Sequence, residues 1–180
     1  DVTFNNDLTL SVSMQFNGLC NVNGRDNRIK LQDSGELVAR PGANLIIENT
    51  EISSLRGTRL RCLTDNASIT LRHCVLSLSG DYTFSCGSLI FDNDVMVTGT
   101  CKFIYSSGMT STINSQTQLF FDTGVTLSYA PSLPRRNLLV MTDPTSVLYL
   151  NGCTLFATCT GLQLSTGMLM LDGRTTMSSG

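Results

Sequence analysis

The chain has 180 residues, of which only 14% are charged, against about 25% in an ordinary soluble domain. The net charge of −2 and the presence of just two lysines, Lys30 and Lys102, argue against nucleic acid as a partner, because phosphate binding rests on clustered Lys and Arg. No run approaches the roughly 18 to 20 apolar residues of a membrane-spanning helix, so no membrane span is expected. Polarity is carried instead by Ser, Thr and Asn.

The first segment, DLTLSVSMQF, places Leu8, Leu10, Val12, Met14 and Phe16 at period two. It predicts one strand, or two short strands meeting at a bend. Asn17-Gly18 and Asn23-Gly24 supply turn chemistry. Ile29/Leu31, a Ser34-Gly35 turn, Leu37/Ala39 and the corner Arg40-Pro41-Gly42 then read as the strands of an incomplete early rung.

From Asn44 to Met177 one pattern returns: NLIIENTEIS, SITLRHCVLS, SLIFDNDVMV, QLFFDTGVTLS, VLYLNGCTLF and MLMLDGRTTM. Each is a triplet with large apolar residues at its first and third places, followed by a polar corner. The register Leu45/Ile47, Ile69/Leu71, Leu89/Phe91, Leu119/Phe121, Leu148/Leu150, Leu169/Leu171 sets starts 24, 20, 30, 29 and 21 residues apart. Such a period marks a repeat architecture. Three short strands recur per period, SITL, VLSL and YTF in one and SLIF, VMV and KFIY in the next, and no window carries a helical stripe.

After each triplet come Glu48, Arg72, Asp92, Asp122, Asn151 and Asp172, then Asn49, His73, Asn93, Thr123, Gly152 and Gly173. The second column is rich in residues that accept a left-handed backbone, which predicts a tight bend there. Two stretches, 106–117 and 130–137, read as insertions between strands.

Period, triplet strands and Asn/Gly corner resemble a right-handed parallel β-helix, the solenoid of pectate lyases, phage tailspikes and bacterial surface adhesins, over residues 29–177. The expected fold is all-β, one domain spanning 1–180 with residues 1–28 less regular. The resemblance implies architecture and leaves function open, because that fold carries enzymes, adhesins and fibres alike.

Three functions compete. A polysaccharide lyase or hydrolase needs a carboxylate pair, and Asp92 and Asp122, at one corner position of consecutive triplets, would stack about 5 Å apart. A calcium site from Asp92, Asp94 and Asp122 is a variant of that idea, and His73 beside Cys74 offers a Cys/His pair that bend geometry separates. The alternative is a non-enzymatic, self-associating protein, because the residues that should face outward, Ile46, Thr70, Ile90, Phe120, Tyr149 and Met170, are mostly large and apolar. Ile46, Ile90, Phe120, Tyr149 and Met170 then form the expected self-association face. Glycan binding without catalysis would use Phe120 and Tyr149 as stacking platforms, with Asp122 and Asn151 as polar neighbours.

The remaining signals are weaker. Arg56, Arg59 and Arg61 cluster as a charged loop or a grip for an acidic group, and Asn66-Ala67-Ser68 is a formal glycosylation sequon. Seven cysteines without Cys-x-x-Cys spacing, and a single histidine, point to no metal site and no cofactor. A start at Asp1 fits a secreted chain after signal removal, or a fragment, and extracellular location is the expectation. With no capping helix in the sequence, the coil is expected to stack end to end with other copies.

Overall fold

The computed structural model describes residues 1–180 and contains twenty strands, β1 to β20 in chain order, with no helix. All pair in parallel to form a β-solenoid of about eight turns. Its three faces are three stacks of short strands.

The first face holds β1 (Val2–Thr3), β4 (Leu19–Asn23), the start of β7 (Asn44–Gly57), the start of β9 (Ser68–Phe84), β10 (Ser88–Phe91), β13 (Ser111–Ile113) and β16 (Leu139–Met141). One inward column there runs Val22, Ile47, Leu71, Phe91, Ile113, Met141. The second face holds β2 (Leu8–Leu10), β5 (Arg28–Leu31), the middles of β7 and β9, β11 (Val95–Thr98), β14 (Gln118–Phe121), β17 (Val147–Asn151) and β19 (Met168–Asp172). Its column runs Leu8, Ile29, Ile52, Leu76, Val97, Phe121, Leu150, Leu171.

The third face begins with a separate ladder of β3 (Ser13–Phe16), β6 (Glu36–Ala39) and β8 (Leu60–Cys62). It continues with the end of β9, then β12 (Lys102–Tyr105), β15 (Thr126–Tyr129), β18 (Thr154–Ala157) and β20 (Thr176–Ser179). The DLTLSVSMQF segment is thus two strands meeting at a bend, on different faces, and Val12 at the bend is exposed.

Alternation explains the core. In a strand, residues i and i+2 share a side, so each triplet sends its first and third residues inward, and 41 buried apolar residues form one continuous cluster. On the third face the inward column is aromatic: Phe84, Tyr105 and Tyr129 stack, the last two with centroids 5.7 Å apart and planes 7° apart. Their hydroxyls find partners as burial demands: the Tyr105 hydroxyl donates to Leu138 O at 2.9 Å, and the Tyr129 hydroxyl accepts the Leu138 N–H at 2.9 Å. Burial pushes the Tyr105 phenol up to about 12.

The corners use the predicted conformation. Asn49, His73, Asn93, Gly152 and Gly173 all have φ between 47 and 59°. Thr123 departs from the column; Gly124, one place on, takes the left-handed turn with φ 86°. Gly35 has a different reason: a Cβ there would lie 1.9 Å from the Leu10 carbonyl oxygen of the coil before it.

The six triplets do not share one ladder. Those at Leu45, Ile69 and Leu89 lie on the first face; those at Leu119, Leu148 and Leu169 lie on the second. The slip arises in 106–117, which is no insertion but carries β13, the first-face strand of its coil. There Ser111 occupies the inward place held by Leu89 one coil earlier, and its hydroxyl accepts the Leu89 N–H at 2.8 Å. The stretch 130–137 is a true excursion, at the corner between β15 and β16.

Candidate interaction face

The second face carries an outward column in register from coil to coil: Glu51, Val75, Met96, Phe120, Tyr149 and Met170. From Val75 onward every member is apolar or aromatic. Met96 and Met170 are each 39% exposed, and the Phe120 and Tyr149 rings meet edge to face with centroids 4.9 Å apart and planes at 89°.

Polar columns flank this stripe. On one side Ser77, Thr98, Asn151 and Asp172 follow one position beyond the inward residues; Thr98 Oγ1 lies 3.3 Å from Ser77 Oγ, and the Asn151 amide donates to Asp122 Oδ1 at 3.3 Å. On the other side stand His73, Asp94 and Gln118, with the Gln118 N–H donating to Asp94 Oδ1 at 3.1 Å. Between this second row and the stripe lies a depression of about 360 Å³, lined on its apolar side by Val75, Met96, Phe120 and Tyr149.

One charged contact closes the stripe. The Tyr149 hydroxyl donates to Asp172 Oδ2 at 3.0 Å. The Gly173 N–H first, and this phenol second, hold the Asp172 carboxyl below the usual carboxylate range, while the carboxylate raises the Tyr149 phenol above its ordinary value.

The expected self-association residues are therefore split between faces. Ile46 and Ile90 lie on the first face, alternating with Thr70 and Thr112, whereas Phe120, Tyr149 and Met170 belong to the second. Their companions Val75 and Met96 went unnoticed in the sequence, although VMV, residues 95–97, is itself an apolar triplet.

The carboxylate pair is separated too. Asp92 follows the first-face strand β10 and accepts the Arg72 Nε–H at 2.7 Å, in a row where Arg72 also reaches Glu48 at 4.0 Å. Asp122 follows the second-face strand β14 and accepts the Thr123 N–H at 2.8 Å. Stacking at one corner, on which both the enzyme and the calcium readings depended, is overturned by this register.

His73 is exposed on its bend, and the buried Cys74 thiol donates to the Ile47 and Arg72 carbonyls at 3.3 and 3.2 Å. Burial pushes that thiol up to about 12, so it stays protonated and a poor nucleophile at neutral pH. Comparison with known protein families, curated proteins and solved structures finds no match to this chain.

Proposed function

We propose that this chain is a non-enzymatic, extracellular structural or adhesive solenoid that assembles with further copies of itself. Lateral contact uses the second face, and the observation that carries this reading is the unbroken outward column Val75, Met96, Phe120, Tyr149, Met170. Contiguous exposed apolar surface of this kind normally marks an interaction site. The expectation that such a column would contain Ile46 and Ile90 is replaced by one that contains Val75 and Met96.

Sedimentation of the wild-type chain and of a Met96→Lys/Phe120→Lys variant over a wide concentration range tests the lateral contact. The wild type should associate and the variant should not, with both showing the same β-rich circular dichroism; a wild type that stays monomeric at high concentration sinks the reading.

A second reading, glycan binding, is favoured by the depression itself, where the Phe120 and Tyr149 rings adjoin Asp94, Gln118 and His73. It predicts that neutral oligosaccharides shift the resonances of those residues in a Met170→Lys variant, which keeps both rings and puts a charge on the lateral stripe.

A further inference from the structure

At the corner between the second and third faces, on the early coils, Lys30, Gln32, Asp33, Ser54, Arg56, Arg59 and Ser79 surround an open notch of about 410 Å³. It gathers three cations against one carboxylate, in a chain whose net charge is −2. Three other arginines are neutralised: Arg28 pairs with Glu51 at 2.8 Å, Arg61 with Glu36 at 2.9 Å and Arg72 with Asp92 at 2.7 Å. Lys30, Arg56 and Arg59 form no ion pair within 4.0 Å.

The notch is organised before any ligand arrives. Arg59 donates to three backbone carbonyls, of Leu31 at 2.7 Å, Asp33 at 2.5 Å and Ser54 at 3.4 Å, so its guanidinium is fixed in place while its charge stays uncompensated. Ser54 and Asp33, two of those acceptors, both hold left-handed backbones at φ 59 and 47°. Arg56 lies across Gly80, where a Cβ would come 3.2 Å from the Arg56 Cβ and 3.7 Å from its Cδ.

We propose that this notch is an oxyanion-binding site, taking a sulfate, phosphate or carboxylate group carried on a hydroxyl-bearing ligand. The planar guanidinium matches oxyanion geometry, Lys30 adds a point charge, and Gln32, Ser54 and Ser79 supply amide and hydroxyl groups for neighbouring hydroxyls. The site lies on a different corner from the apolar stripe and does not depend on self-association.

The test is calorimetric titration of the full chain with inorganic sulfate, inorganic phosphate and glucuronate, at ionic strength held constant with chloride, and with glucose as the uncharged control. At least one anion should bind saturably at one site per chain, about tenfold or more weaker in Lys30→Ala/Arg56→Ala, and unchanged in Arg135→Ala/Arg136→Ala. Preference for sulfate or phosphate identifies an ester group, and preference for glucuronate a carboxylate. Gly80→Ala, which alters no charge, should weaken the same anion several-fold by displacing the Arg56 stem. Non-saturable uptake of every anion, equal binding of glucose, or full affinity in the Lys30→Ala/Arg56→Ala variant overturns the proposal.

Discussion

The same outward column of the second face has two characters along its length. In the early coils it reads Arg28 and Glu51, joined by a 2.8 Å ion pair; from the coil of β9 onward it reads Val75, Met96, Phe120, Tyr149, Met170. Behind both halves the inward columns are alike, with Ile29, Ile52, Leu76, Val97 and Phe121 in one register. Folding constrains only the inward positions, so the outward ones are free to be salt-bridged in one region and apolar in the next. The difference marks where the outward column turns from charged to apolar over an unchanged core.

The largest effect should come from the part the two halves share. Phe121 is fully buried against Phe103, with centroids 5.7 Å apart, and Phe121→Ala should cost about 3 to 5 kcal/mol in urea unfolding through the cavity it leaves. Next comes the stripe: Met96→Lys/Phe120→Lys should weaken association by on the order of a hundredfold in sedimentation, because two ammonium groups would have to leave water, while unfolding midpoints stay close to wild type.

Converting the early half into the late one is a milder change. Arg28→Leu/Glu51→Leu removes an exposed ion pair worth about 0 to 1 kcal/mol and lengthens the apolar column, so stability should barely move while association strengthens. The smallest effect is optical. Asp172→Asn should lower the Tyr149 titration toward its ordinary value of 10.0, followed by ultraviolet absorbance.

The sign of the pH dependence at this contact differs for its two groups. Asp172 has a depressed folded value, so its contribution is present above the unfolded value near 3.8 and is lost as pH falls through the folded one. Tyr149 has a raised folded value; its contribution is present below 10.0 and is lost as pH rises through that folded value.

The solenoid was legible because triplets such as SITL and SLIF carry the inward alternation openly, and the strands of the β9 coil and the next coil fall where their residues predict. What stayed hidden was which face a triplet occupies. All three faces use the same two-inward, one-outward strand, and the corners after the first and second faces both demand a left-handed residue. Asn93 and Gly152 therefore look equivalent although they turn different corners. A single buried serine, Ser111, then conceals one strand and shifts every later triplet by a face. That shift placed Ile90 beside Phe120 and Asp92 beside Asp122 in the sequence reading. The basic notch was harder still to see, since Lys30 lies far along the chain from Arg56 and Arg59 and reaches them only through coil stacking.

The aromatic column of the third face also makes the molecule its own optical probe. The chain has no Trp and four Tyr, of which Tyr82, Tyr105 and Tyr129 sit in the core and Tyr149 on the outward stripe. Ultraviolet emission near the tyrosine band therefore divides cleanly by position. Quenching by a dissolved small molecule would sample Tyr149 and so the stripe alone, whereas the quencher-resistant fraction would report the packing of the middle coils.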